Sequence, residues 1–140
     1  TMYSQYNSEA RDILLHFLHK FFPDPDEMAI PLYPVPILSD RKQLDELFTG
    51  GTYEENYRIL NHNIRLFKEN IPPLFNAYMN LSPTMRFFGA AYNHGFGEVE
   101  ESGILITIRD VYDKKMSRHL ASYIKKINLR NFKLRIRRSK

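Results

Sequence analysis

Three glutamates and a histidine crowd one short stretch of the chain: His94, Glu98, Glu100 and Glu101, set among Gly95, Phe96 and Gly97. Carboxylates at the end of a strand can take a proton from an amine or hold its ammonium form, and imidazole titrates where proton transfer at neutral pH is efficient. In an extended chain, alternation puts Glu98 and Glu100 on one face and Glu101 on the other. The same residues also fit a solvated hairpin tip, because loops ordinarily carry charge, and residue types alone leave both readings open. His16 and His19 stand three apart in a helical pattern. With no acidic third ligand at helical spacing they read as a polar helix face in preference to a metal pair, so no metal site is expected. His62 and His119 have no evident partner. The chain holds no Walker phosphate loop, dinucleotide fingerprint, zinc-protease pair or Gly-x-Ser-x-Gly elbow, and Gly95-Phe96-Gly97 is too short for a nucleotide motif.

The elements that must carry these residues follow from periodicity. Ala10, Ile13, Leu14, Phe17, Leu18 and Phe21 mark one face of a first helix, capped by Asn7 or Ser8 and stopped by Pro23. Pro31, Pro34 and Pro36 each remove a ladder donor, so Ile30–Ile37 reads as an extended surface segment and not as a central strand. Asp40–Phe48 is a short helix ended by Gly50-Gly51. Thr52 and Glu55 form a capping box for a longer helix through Lys68, with Tyr57, Leu60, Ile64 and Phe67 inward. Pro72 and Pro73 suit the first turn of another helix, whose inward set is Leu74, Phe75, Tyr78, Met79 and Leu81. Met85–Tyr92 and Gly103–Arg109 read as strands, the second buried on both faces, pairing antiparallel around an Asn93–Ser102 turn. Residues 117–127 return to helix. The expected fold is α/β of the α+β kind, with helices packed on a small antiparallel sheet.

The length of 140 residues fits one domain able to bury roughly two-thirds of its unfolded surface. Without cysteine there is neither a disulfide framework nor a thiolate metal site, and no apolar run approaches the roughly 18 residues of a membrane span. The net charge of +4 is uneven: Lys125, Lys126, Arg130, Lys133, Arg135, Arg137, Arg138 and Lys140 account for eight of the 20 basic residues. Residues 1–124 keep 12 basic against all 16 acidic residues, a net −4. The chain divides accordingly into a body, 1–124, and a basic tail, 125–140. Phe132, Leu134 and Ile136 alternate with Lys133, Arg135 and Arg137, which suits an edge strand with its charges out. Lys133, Arg135, Arg137 and Arg138 equally suit anionic lipid, at about 1 kcal/mol each near the surface. Nucleic acid is disfavoured, because the acidic body offers no second basic patch.

Several motifs together resemble one acyltransferase family. They are Ile71-Pro-Pro-Leu-x-x-x-Tyr78, the strand holding Gly89, Phe96-Gly97 with acidic residues after it, and the apolar strand before Asp110. Family members tend to read Pro-Pro-Leu-x-x-x-Tyr-x-x-Leu, then a glycine, then Asp-x-x-Phe-Gly-x-x-Asp before a strand. This chain matches in order and spacing over most of residues 3–123. It departs in carrying Ser82-Pro83 where glycine is common and Glu100-Glu101 where aspartate is usual. The family often bears a hemolysin label, belongs to the GNAT superfamily, and includes the N-acyltransferases that begin ornithine- and glycine-type aminolipid synthesis. Tyr6-Asn7-x-x-Ala10-Arg11, opening the first helix, is similar to the segment that leaves the fifth GNAT strand.

The resemblance implies the C-terminal half of a GNAT-like fold in a longer enzyme, the 140 residues alone lacking the donor side and forming no product. It implies transfer of a fatty acyl group from acyl carrier protein or coenzyme A to an amino acid's amine, with no tightly bound cofactor. Glu98, Glu100 and Glu101 would be the catalytic candidates, Tyr6 and Asn7 would lie near the thioester arm, and His94 and Phe96 would shape the pocket wall. The enzyme would be cytoplasmic, peripheral on the inner membrane, and a partner of acyl carrier protein. An apolar sheet edge left open by truncation would favour a homodimer. The rival expectation is a non-enzymatic module that binds an anionic membrane surface, or nucleic acid, through the basic tail.

Overall fold

The computed structural model describes Met2, residues 5–97 and residues 99–112. The helix expected over 117–127 and the whole basic tail lie outside the described residues, as does Glu98. The elements run α1 (Ser8–Phe21), α2 (Arg41–Leu47), α3 (Tyr53–Leu66), α4 (Pro73–Met79), β1 (Arg86–Asn93) and β2 (Val99–Leu105), then a 3-10 turn over Ile108–Asp110. The architecture is α+β, as the sequence predicts.

α1 is the axis of the fold. Asn7 caps it, its Oδ1 accepting from the backbone N–H groups of Glu9 and Ala10, each at 3.0 Å. The apolar pattern predicts one buried face, yet every residue from Ala10 to Leu18 is buried. The helix is enclosed because α3 packs on one side, β1 on another, and the segment around residues 35–39 with α2 on a third. Arg11, Asp12 and His16 are thereby carried into the interior. Phe17, at the centre, meets Phe21 at 4.5 Å and Phe48 at 5.2 Å between ring centroids. Thr52 and Glu55 form the expected capping box of α3, with Leu60 and Ile64 fully buried beneath it. α4 begins at Pro73 as predicted, but only Phe75 and Met79 of its expected inward set are buried within the helix, and Leu74 points outward.

β1 and β2 pair antiparallel, with Phe87 opposite Ile104 and Asn93 opposite Val99. Between Phe87 and Ala90 the register slips, so that Phe88 and Gly89 face Gly103 in a bulge. Gly89 has φ +100°, and a Cβ there would lie 2.9 Å from Pro31 Cγ, so the bulge is where the proline-rich segment presses closest to the sheet. That segment is extended, as expected. It lies along β1, the Val35 N–H donating to Ala90 O and the Tyr92 N–H to Tyr33 O, each at 2.9 Å. On the far side Met2 bridges Glu100, which gives β2 a short outer neighbour.

The second strand differs from its expectation. β2 starts at Val99 and ends at Leu105, upstream of the predicted 103–109, and it is buried only at Val99 and Glu100. The reason is the turn, which is shorter than the predicted Asn93–Ser102 because Asn93 Oδ1 accepts from the Gly95 N–H and the Phe96 N–H bonds back to Asn93 O. Glu100 and Glu101 thus enter the strand, and Ile106–Asp110, apolar though it is in part, leaves the sheet. Ser82 receives that exit segment, its hydroxyl donating to Asp110 O at 3.2 Å.

Candidate functional site

A hollow of about 520 Å³ lies between the last two turns of α1, the extended segment and α2. α1 contributes His16, His19 and Lys20, the extended segment Ser39, and α2 Arg41 and Asp45. Ile37 and Leu44 supply apolar lining. Asp40 fixes the start of α2 by accepting the Gln43 N–H at 3.0 Å, which sets Arg41 and Asp45 one turn apart on one face. Lys20 ties the two helices together: its Nζ donates to the main-chain carbonyls of Asp45 and Phe48, each at 3.3 Å, where α2 ends and its carbonyls lack helical partners.

His16 is the unusual member. The residue is only 9% exposed, and its ring stacks on Phe48 with planes 14° apart. Nε2 lies 3.1 Å from Asp45 Oδ1, close enough for the carboxylate to act on its charge but short of a well-formed hydrogen bond, and among the described residues no other group satisfies this buried nitrogen. Burial pushes the His16 pKa down; the Asp45 carboxylate opposes this while Lys20 and Arg41 reinforce it, leaving the neutral imidazole favoured at neutral pH. His19 keeps an exposed edge, but its ring packs edge-on against Phe87 at 4.8 Å, and burial followed by the proximity of His16 lowers its pKa as well. Among the described residues no group of three His, Asp or Glu side chains is arranged to hold a metal ion.

One turn before His16, α1 carries a buried charge cluster. Arg11 donates through Nη1 to Glu100 Oε1 at 2.8 Å, and through Nε and Nη2 to Asp12 Oδ1 at 3.1 and 3.0 Å. Asp12 Oδ2 accepts the backbone N–H groups of Leu38 and Ser39 at 2.8 Å each and the Ser39 hydroxyl at 3.0 Å. Burial works against the Arg11 charge, but its bonds to Asp12 and Glu100 outweigh that and raise its pKa. The cluster joins α1, β2 and the segment that leads into α2, and Ser39 links it to the hollow.

The predicted site residues separate. Glu100 turns inward to Arg11 while Glu101 is exposed, although the preceding Val99 is buried as well. Glu101 and His94 do share a second hollow, about 340 Å³, with Leu32, Tyr33 and Tyr92. There His94 stands edge-on to Tyr33 at 5.3 Å and stacks on Tyr92 at 6.2 Å. Phe96 is 69% exposed at the turn and is not among the residues lining that hollow. Tyr6 and Asn7 bond to the segment that joins α3 to α4: the Tyr6 hydroxyl donates to Asn70 O at 3.0 Å, and the Asn7 N–H to Glu69 Oε1 at 3.0 Å. Burial and nearby Glu69 raise the Tyr6 pKa. Glu98, Lys133, Arg135, Arg137 and Arg138 lie outside the described residues.

The His16 hollow was missed as a site. Its sequence signal was the polar run at positions 12, 16, 19 and 20 inside an otherwise apolar helix. Read by itself, that run looks like a solvated face; only the packing of α2 and segment 35–39 over it turns it into a lining.

The chain is similar to bacterial proteins named glycine N(alpha)-acyltransferase. It is 49% identical over 125 residues to a glycine N(alpha)-acyltransferase of Phocaeicola vulgatus, a match covering 89% of this chain and 38% of that protein. It is 47% identical over 124 residues to the glycine N(alpha)-acyltransferase of Bacteroides thetaiotaomicron, covering 89% of this chain and 37% of that protein. The chain therefore spans less than two-fifths of the length of the curated relatives it matches. No family model and no solved structure matches it. Among the described residues no helix is long and apolar enough to cross a membrane.

Proposed function

We propose that this chain is part of an N-acyltransferase that moves a fatty acyl group from a thioester donor, acyl carrier protein or coenzyme A, onto the amine of glycine or a similar small amino acid. The observation that carries the reading is the 47–49% identity to two proteins named glycine N(alpha)-acyltransferase, sustained over 89% of the chain. The motifs around Pro72-Pro73-Leu74 and Phe96-Gly97 support assigning it to the hemolysin-labelled GNAT group, with a role in aminolipid synthesis at the inner face of a membrane. Attack on a thioester requires an amine that has lost its ammonium proton, so a neutral base beside the acceptor is the group this half of the reaction needs most. The 140 residues alone, whose match covers under two-fifths of the relatives' length, are expected to form no product.

The test is a chimera of the Phocaeicola vulgatus protein in which the aligned 125 residues are replaced by those of this chain. Supplied with acyl-loaded carrier protein and glycine, it should yield N-acylglycine by mass spectrometry. A chimera that folds and expresses as the parent does, yet acylates no amino acid from either donor, would refute the reading.

A further inference from the structure

Resting on that reading, we propose that the hollow between α1 and α2 takes the acceptor amino acid as its zwitterion, with Asp45 facing the ammonium group, Arg41 facing the carboxylate and His16 receiving the proton the amine must lose. Three features point to this place. A free amino acid carries both signs of charge within a few ångströms, and a site for it must present both signs at the same separation. Asp45 and Arg41 do so across one turn of α2: Arg41 Nε and Asp45 Oδ2 stand 3.9 Å apart, a loose contact between side chains 91% and 54% exposed. Such an exposed pair contributes only about 0.3–0.5 kcal/mol, so a ligand that meets both charges displaces little. Lys20, the other cation of the hollow, is already engaged by two carbonyls, which leaves Arg41 as the group for a carboxylate.

The second feature is Nε2 of His16, which among the described residues has only the Asp45 contact and no well-formed hydrogen bond. Buried polar nitrogens are nearly always hydrogen-bonded, and one that is not calls for a missing partner. An amine held at Asp45 would bring one, since Nε2 is 3.1 Å from the Asp45 carboxylate. The third feature is size. The hollow exceeds what a small amino acid fills, leaving room beside it for the reacting end of an acyl donor.

The rival position is the hairpin hollow. Among the described residues its lining offers Glu101 for an ammonium group but no lysine or arginine for a carboxylate. Glu100 does not reach it, being bonded to Arg11 inside the fold.

The proton accounting closes without a further reagent. His16 takes one proton from the ammonium group; the amine nitrogen then bonds to the thioester carbon. As the carbon–sulfur bond breaks, the departing thiolate takes the second nitrogen-bound proton, and His16 returns its own to solvent. The products are an amide and a free thiol.

Binding to the 140-residue chain can be read without turnover, from the imidazole resonances of His16 and His94 during titration with glycine, methylamine or acetate at millimolar concentration. Glycine should shift the His16 ring, and methylamine and acetate, which each carry one of its charges, should bind at least about tenfold more weakly. Asp45→Asn and Arg41→Gln, both on the exposed side of α2, should each weaken glycine binding about tenfold while leaving the fold intact. The proposal is overturned if glycine leaves His16 unmoved, if it shifts only His94, or if acetate binds as well as glycine. In the chimera, Asp45→Asn should raise the KM for glycine with kcat little changed, and His16→Gln should lower kcat. A chimera that acylates glycine while this chain binds it at His94 would sink the site and spare the acyltransferase. Glycine bound at His16 with an inactive chimera would do the reverse.

Discussion

Removing Arg11 should be among the most damaging single changes in this protein. Its guanidinium is the one countercharge the cluster gives to Asp12 and Glu100, whose side chains are 2% and 9% exposed. Arg11→Ala would strand two buried carboxylates at once, although Asp12 would keep its bonds from Leu38 and Ser39. Breaking one partner out of a buried pair costs about 3–5 kcal/mol, a large part of the roughly 5–15 kcal/mol that holds a domain folded. With a urea slope of about 2 kcal/mol per molar, the unfolding midpoint should fall by roughly 2 M. Glu100→Gln is the control: it keeps the shape and an acceptor for Nη1, and Arg11 stays matched by Asp12, so the loss should be nearer 1–2 kcal/mol, about that of one charge-assisted hydrogen bond. The assay is urea unfolding of both variants at pH 7.5, followed by circular dichroism. An Arg11→Ala stability within about 0.5 kcal/mol of the parent, the range of an ordinary surface change, or a Glu100→Gln loss as large as that of Arg11→Ala, would refute the account of a single buried cation serving two carboxylates.

Other consequences are as direct. His16 and His19 are both held below the ordinary imidazole value of 6.5, so the unfolded chain takes up their protons first as the pH falls. Their contribution to stability is complete above that value and is lost as the pH drops through it towards their native values; His16→Gln should flatten the dependence of the urea midpoint between pH 7.5 and 5.5. Gly89→Ala, at φ +100° and with Pro31 Cγ 2.9 Å from the new Cβ, should cost about 1–3 kcal/mol and lower the thermal midpoint. Thr52→Ala removes the side-chain half of the α3 capping box at a cost of about 1 kcal/mol, readable as roughly 4 °C in Tm.

The helices were the legible part of the fold, because caps and prolines act within a few residues of themselves. Asn7, Asp40, Thr52 with Glu55, and Pro73 mark helix starts in the sequence and do so in the structure. The second strand was less legible, because local composition and long-range pairing disagree there. Ile104–Ile108 is the more strand-like stretch, yet the sheet takes Val99–Leu105, since Met2 pairs with Glu100 from across the fold and Arg11 neutralises its charge. Neither partner is near in sequence. The same limit applies to the candidate site. The acidic turn stands out because its residues are consecutive, whereas His16, Ser39, Arg41 and Asp45 are drawn from three elements and gain their relation only when α2 folds over α1. Glu100 shows how composition can mislead, as a carboxylate among carboxylates in the sequence that is an arginine's partner in the interior.

The run of prolines beside β1 has a consequence for how this protein behaves in a crowded solution. In the bridge between Pro34 and Ala91, the groups turned towards the sheet are Tyr33 O and the Val35 N–H. Those turned away belong to Pro34, which offers a carbonyl and no N–H. A foreign strand approaching from that side would find no donor at that position and another proline two residues along, at Pro36. The flank is thus closed to the strand-by-strand growth that turns exposed sheets into aggregates, even though Ile30 and Leu32, 76% and 81% exposed, would otherwise make it an inviting surface. Replacing Pro34 with valine would restore the missing donor beside those apolar side chains, and would trade a self-limiting sheet for one that can recruit its own copies.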